Sequence, residues 1–533
     1  MCSCGGGGEK AGTTQKVYDP DIQQVFIGED IAVVPTAYGR VRGFIIRGIY
    51  AFKGIPYGAS TGGKNRFMPP QKPEPWTDVR PAVAYGSSAP QDLYDRSPES
   101  YGMFVDHWNY DMVGEDCLRL NVWSPGINDG KRRPVLVWLH GGGFAHGNGI
   151  EHDSYDGENF ARQADIVYVS INHRLNAFGF SDLSKLGGEK YKHSGNAGML
   201  DIVASLEWVR DNIANFGGDP GNVTVMGQSG GGSKVCTIAA MPAAKDLVHK
   251  GVALSGSMTA ANDKQYAESL GEYIVKEAGL TAATIDRLQD MPWEEYFEIA
   301  NRAAAKFREQ SPGAGRGGFS PVADGFNIPE GTFFTDNNPL TPNIPMIFCT
   351  AFNEQPINRD NPELENITLD GVKQALTPAY GDRSGAIVDA YAKQFPELRP
   401  IEVYSFIRSN RLRAVSAANT KLQQGAPVYM AWFGMGSPLF DGRHRAFHCV
   451  DISYWFLNTD LMITHTGGGK RPRELSQKMA ASLASFMRTG NPNCGALPEW
   501  PKYTDTNGET MVLNELCEVL NDPDRNARLT LQQ

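Results

Sequence analysis

The sequence predicts an α/β protein: a mostly parallel central sheet, an antiparallel N-terminal leader and helical insertions. Three observations point there. Continuous apolar runs, such as Pro134–Leu139 and Ile166–Ile171, have the length and β-branched content of strands buried on both faces. They alternate with helical periodicities, most clearly Leu200, Val203, Leu206, Val209 and Ile213 within Asn196–Phe216. The stretch from Asn222 to Val235 then reads as a strand running into a Gly-flanked Ser229 and on into a helix over Gly232–Met241.

In chain order, Ile31 to Tyr57 alternates like strands around a turn at Tyr38-Gly39 and is expected to form a small antiparallel leader at a sheet edge. Pro-rich connections and a long polar loop, Tyr85 to Gly114, follow; loops of that length usually serve a site. Leu118–Trp123 resumes the strand pattern, and Pro134–Leu139 feeds into His140-Gly141-Gly142-Gly143-Phe144. A helix near Glu158–Ala164 precedes the Ile166–Ile171 strand, and a strand at Gly251–Leu254 comes after the Ser229 turn. Asp263–Arg308 is helical without an intervening strand. Ile344–Cys349 and Val428–Phe433 are further buried strands, with helices across Asp370–Gln424 between them. A last helix, Arg473–Arg488, stops at Gly490 and Pro492, and Thr510–Leu513 is a closing strand. Residues 1–30 read as a flexible Gly-rich tail and lead-in; 31–533 reads as one domain with a helical insertion around 263–308.

Composition narrows the function. The net charge of −10 argues against a nucleic-acid partner, which needs a basic face. No apolar run reaches the roughly 18 residues of a membrane-spanning helix. The eight cysteines contain no C-x-x-C pair, so no zinc or dithiol motif is expected, and most read as buried thiols. Cys4 before a glycine tether resembles the lipid-anchored end of a bacterial lipoprotein, but the upstream apolar segment is absent; a plain tail is the alternative. The compartment stays open between cell envelope, secreted and cytoplasmic.

The chemistry gathers at Ser229. Gly227-Gln228-Ser229-Gly230-Gly231 in a strand–turn–helix context is a nucleophile elbow, and the helix starting there points N–H groups toward developing negative charge. A glycine run after a buried strand, His140–Gly143, suits an oxyanion hole; it lacks the spacing of a phosphate-binding loop, as does Thr466–Lys470, read as a flexible turn. A serine nucleophile needs a base and a group that orients it. Of the histidines after Ser229, His249 comes early and His465 sits in a Gly/Thr turn. His444, between two arginines, reads as a solvated surface residue; His448, opening an apolar stretch, is favoured over it. Glu354 is the first carboxylate beyond the Ile344–Cys349 strand, with Asp360 as runner-up.

Residues Phe52–Tyr57, Glu115–Trp123, Trp138–Phe144, Asn196–Asp201, Phe216–Asn222, Ala446–His448 and Thr489–Pro492, together with the elbow, resemble the type-B carboxylesterase/cholinesterase family of the α/β-hydrolase fold, in a bacterial-type form. The resemblance implies Ser229 as nucleophile, Glu354 as triad acid, His448 as base, and the N–H groups of Gly142, Gly143 and Gly230 as oxyanion donors. The wording around the acid departs from the family: Ala351-Phe-Asn-Glu-Gln355 replaces Asn-x-x-Glu-Gly. Cys117 matches a cysteine that animal members pair with an upstream one, and the preceding region here, Ser87–Gln91, offers no partner. Gln228 stands where cholinesterases carry Glu. Trp108 falls one residue from the place of their cation-binding tryptophan, where a hydrophobic wall is expected instead. Trp108, Gln228, Phe319 and Phe326 are the substrate-pocket candidates.

The implied activity is hydrolysis of small-molecule carboxylic esters through an acyl-enzyme, with no metal or organic cofactor. The competing readings are a non-catalytic cholinesterase-like binding protein and a triad acting on amides, carbamates or thioesters. A lipase is disfavoured because no amphipathic lid is evident in the sequence.

Overall fold

Strand formation follows the apolar runs. The computed structural model describes residues 18–92, 104, 112–310, 318–335, 343–355 and 358–532. Its strands are β1 (Val25–Phe26), β2 (Val33–Thr36), β3 (Gly39–Arg42), β4 (Phe44–Ile46), β5 (Ile49–Pro56), β6 (Val79–Pro81), β7 (Arg119–Ser124) and β8 (Arg133–Leu139). They continue with β9 (Val167–Ile171), β10 (Gly218–Gln228), β11 (Lys250–Leu254), β12 (Met346–Ala351), β13 (Val428–Phe433), β14 (Glu509–Leu513) and β15 (Glu518–Asn521). Twelve form one sheet in the order β1-β4-β5-β7-β9-β8-β10-β11-β12-β13-β14-β15. From β9 to β14 every neighbouring pair is parallel, and the outer pairs on both sides are antiparallel. The chain therefore has the mostly parallel central sheet that its apolar runs imply, in the α/β-hydrolase arrangement that the family resemblance implies.

Side-chain alternation divides the interior. Val135, Val137 and Leu139 of β8 enter one core, and Leu136 and Trp138 enter the other. The first core is covered by the helices Ala197–Asn212, Gly230–Ile238 and Arg411–Leu422, the second by Glu158–Ala164 and Lys470–Thr489. Complete burial on both faces is what made these strands read as unbroken apolar runs; each such Val or Leu contributes roughly 1.5–3 kcal/mol. Arg174, just past β9, makes a fully buried two-pronged ion pair with Asp201 at 2.6 and 2.8 Å, tying the sheet's carboxyl edge to the Ala197–Asn212 helix.

The Asp263–Arg308 region folds into the Lys264–Glu277 and Trp293–Gln310 helices, joined by shorter helical turns. Asp263 caps the first, accepting from the Tyr266 N–H at 2.9 Å. Their apolar sides share a cluster with Phe67, Phe178 and Tyr191.

Some elements differ from expectation. The leader splits: β2 and β3 join β6 in a separate three-stranded sheet, while β4 and β5 extend the main one. The short strands β1, β6 and β15 and the Arg525–Leu529 helix carry too few residues for a readable period. Cys117, Cys236 and Cys349 are buried thiols, Cys449 and Cys517 are partly buried and Cys494 is exposed. Cys4 lies outside the described residues. Among the described residues no helix is long and apolar enough to cross a membrane.

Candidate active site

β10 ends at Gln228 and a helix begins at Gly230, so Ser229 alone makes the turn, at φ 56° and ψ −123°. A non-glycine residue held there costs on the order of 1–3 kcal/mol, supplied by its surroundings. The Ser229 N–H donates to the Leu254 carbonyl at 2.8 Å, and the Ser233 N–H returns to the Ser229 carbonyl at 3.1 Å. Gly231 permits the contact between helix and sheet: a Cβ there would stand 2.0 Å from the Leu139 oxygen and 2.8 Å from that of His140. Gly231→Ala is expected to push the helix off β8, lowering stability by about 2 kcal/mol or more and removing most activity. A chemical-denaturation midpoint and turnover equal to the parent's would contradict this.

The glycine run after β8 turns by positive φ at Gly142 (75°) and Gly143 (62°). The N–H groups of Ala145 and His146 donate back to the Gly142 carbonyl, at 3.2 and 3.0 Å. Asn176 fastens the same loop, its N–H donating to the Phe144 carbonyl at 2.6 Å and its Nδ2 to that of Ala145 at 3.1 Å. The N–H groups of Gly142, Gly143 and Gly230 donate to no acceptor among the described residues. Gly143 and Gly230 are on the wall of the cavity that holds Ser229; Gly142, one residue earlier, is not.

Behind the loop Lys234 is wholly buried and donates from Nζ to the His140 carbonyl at 3.0 Å. Burial pulls its ammonium down to about 7, and burial likewise pushes the Glu151 carboxyl up to about 7. Sequence reading passed over both, since each looks like an ordinary charge.

Glu354 and His448 meet at the carboxyl edge of the sheet. Glu354 sits three residues past β12, 1% exposed. Its Oε2 accepts from His448 Nδ1 at 2.5 Å, and its Oε1 accepts from the Ala351 N–H at 2.9 Å. His448 follows an inter-loop bridge, Asn353 with Phe447, which brings the Glu354 and His448 segments side by side. The Asp360 carboxylate instead faces Arg359 at 3.5 Å. His444 is not a solvated histidine: it is 2% exposed, packs on Phe440 and Phe447, and is pulled down to about 4 by burial, then by Arg359 and Arg443. Its flanking Arg445 suggested exposure, but that guanidinium is held by Glu365 and Glu402. His465 is also buried, against His152 and Phe447.

Asp451 is a further residue that sequence reading missed, hidden in the apolar run after His448. It is fully buried, accepts from Trp455 Nε1 at 3.3 Å, and is pushed up to about 7 by burial and then by the Glu354 charge.

The cavity over Ser229 has a volume of about 780 Å³. Phe144, Met258, Phe297 and Phe319 supply apolar wall, and Asp92, Arg308 and Arg413 are its charged residues. Of the pocket candidates, Phe319 is on this wall. Phe326 is not; it is 45% exposed and packs edge-on against His193. Gln228 is not on the wall either. It is fully buried, its Nε2 lies 3.3 Å from both ring nitrogens of His448, and its Oε1 accepts from Cys449 Sγ at 3.2 Å. Strand alternation explains this, since the residue before Ser229 projects away from the side Ser229 faces. Trp108 lies outside the described residues. Among the described residues no group of three or more His, Cys, Asp or Glu side chains could hold a metal ion.

A profile of the Carboxylesterase family matches residues 30–529. A para-nitrobenzyl esterase of Bacillus subtilis is 31% identical over 505 residues, covering 94% of this chain and 98% of that protein. A phenmedipham hydrolase of Pseudarthrobacter oxydans is 30% identical, covering 92% and 97%. Among solved structures, an esterase from Clostridium hathewayi, described as able to hydrolyse aliphatic aromatic polyesters, superposes with a TM-score of 0.82 at 32% identity, covering 95% of this chain and 99% of that one.

Proposed function

The chain belongs to the carboxylesterase family and is a carboxylic-ester hydrolase, and we propose that it works through a Ser229–His448–Glu354 triad and an acyl-enzyme intermediate. The observation that carries this reading is the His448–Glu354 contact at 2.5 Å, made on the edge of the cavity that Ser229 also lines. Glu354 keeps the proton on Nδ1, so Nε2 is the basic nitrogen. Nε2 takes the Ser229 hydroxyl proton as Oγ attacks the ester carbonyl carbon. The carbonyl oxygen becomes an oxyanion held by the N–H groups of Gly142, Gly143 and Gly230, each worth roughly 10²–10³ in turnover. Collapse breaks the ester C–O bond, and the imidazolium protonates the departing alcohol. Water then attacks the acyl group with His448 again as base, releasing the acid and restoring Ser229. Gln228, packed on the His448 ring, helps to set its orientation.

The substrate class we assign is neutral esters with aryl or alkyl groups. Two guanidiniums, Arg308 and Arg413, against the single Asp92 carboxylate give the described wall no character for a cationic alcohol. A para-nitrophenyl ester is expected to exceed a choline ester of the same acyl group by roughly tenfold or more in kcat/KM. The triad itself is tested by a fluorophosphonate probe and peptide mass mapping. A single adduct on Ser229, matching the loss of activity, is expected; inhibition with the adduct elsewhere would overturn the assignment.

A further inference from the structure

Two of the three N–H groups proposed to hold the oxyanion belong to the His140–Phe144 loop; the third, on Gly230, opens the helix after Ser229. Such a hole needs a fixed spacing between loop and helix, because a misplacement of about 1 Å can cost about 10²-fold in rate. Backbone contact sets part of that spacing, through Gly231 against the Leu139 and His140 oxygens. One side chain also spans the gap.

Lys234 lies four residues after Gly230, on the same face of the Gly230–Ile238 helix. It is fully buried, and its Nζ donates to the His140 carbonyl at 3.0 Å. That carbonyl is one residue past Leu139, which makes the last β8–β10 ladder pair with Gly227. No other donor reaches it among the described residues. At the far end of the loop the same ammonium lies 5.7 Å from the centre of the Phe144 ring. Asn176 fixes that end through the Phe144 and Ala145 carbonyls. Gly142 and Gly143 are thus held between two fastened ends.

Stability does not account for this lysine. Taking an ammonium out of water is costly, and one hydrogen bond to a neutral carbonyl offsets only part of that cost. The buried Glu151 attracts it but forms no ion pair with it among the described residues. Glu151 instead accepts from the Tyr155 hydroxyl at 3.2 Å. A methionine would fill the same space with no charge to desolvate. What the lysine adds is its bond to the loop.

We propose that Lys234 is a positioning residue for ester hydrolysis: its Nζ bond to the His140 carbonyl holds Gly142 and Gly143 in register with Gly230 around the oxyanion. The inference rests on the Ser229 acyl-enzyme reading and adds to it a residue that touches neither the substrate nor the reacting atoms. Its effect falls on the transition state rather than on substrate binding.

Lys234→Met in the full-length protein tests this, read with a pair of inhibitors. Octyl trifluoromethyl ketone takes the Ser229 Oγ at its carbonyl carbon; the hydroxyl proton passes to His448, and the carbonyl oxygen becomes an oxyanion. Octyl methyl ketone has a similar shape but resists addition, so it reports ground-state binding. In Lys234→Met, kcat for a para-nitrophenyl ester is expected to fall about 10- to 100-fold. The Ki of the trifluoromethyl ketone should rise by the same factor. KM and the Ki of the methyl ketone should stay within about twofold of the parent's. The denaturation midpoint should equal or exceed the parent's. A residue that merely supports the fold would lower the midpoint and weaken both ketones alike. That result, a variant that does not fold, or an unchanged kcat would overturn the inference. Ser229→Ala separates it from the reading beneath it, since that change should abolish the preference for the trifluoromethyl ketone. If the preference persists, the acyl-enzyme reading fails. If it disappears but Lys234→Met behaves as the parent does, only the role of Lys234 fails.

Discussion

Ser229→Ala is expected to lower kcat for ester hydrolysis by roughly 10⁴–10⁶-fold while the protein stays folded. The change removes one oxygen from a residue whose backbone is anchored independently, through the Leu254 carbonyl and the Ser233 N–H. Gly143, Gly230 and the cavity wall stay in place, so substrate binding should survive and KM should move little. A residual rate from the remaining oxyanion donors is expected, about 10³–10⁴ above water. The strained turn supplies an internal control. At φ 56° and ψ −123° alanine is as strained as serine, whereas glycine is not. Ser229→Gly should therefore be equally inactive but about 1 kcal/mol more stable than Ser229→Ala, read from denaturation midpoints. An alanine variant keeping more than about 1% of the parental kcat would remove Ser229 from the chemistry.

The second large effect is expected at Glu354. Glu354→Gln keeps the size and the hydrogen bond to the Ala351 N–H but turns an acceptor-only group into one that can donate toward His448 Nδ1. The imidazole then favours the tautomer with its proton on Nε2, which cannot accept from Ser229, and kcat should fall about 10⁴-fold. Glu354→Asp keeps the charge but shortens the reach across the 2.5 Å contact; a loss of roughly 10–10³-fold is expected. An ordering in which Gln is the milder change would place the acid elsewhere.

What the sequence made legible follows from burial. β8, β9, β12 and β13 are buried at every position, so they read as apolar runs whatever surrounds them. The elbow and the His140–Gly143 run were legible because their backbone demands glycine at fixed spacing. Chain order put forward Glu354 and His448, and the structure places those two side chains in contact. Groups whose meaning depends on distant partners were not legible. His444 looked solvated between arginines, because nothing local reveals that Glu365 and Glu402 hold Arg445 and that Phe440 and Phe447 enclose the ring. Asp451 and Lys234 are single charges inside packed elements, and only the fold sets them beside Glu354 and under the His140 carbonyl. Gln228 was read for its missing charge toward a substrate; its position beside His448 depends on a loop 220 residues later.

The central claim is that the acyl group passes through Ser229. Rapid quenching of the reaction with para-nitrophenyl acetate, within the first turnover, tests it most directly. The account predicts a burst of about one nitrophenolate per enzyme, with an acetyl group on the Ser229 peptide that is absent in Ser229→Ala. Full steady-state turnover with neither a burst nor an acetylated Ser229 under single-turnover conditions would contradict it.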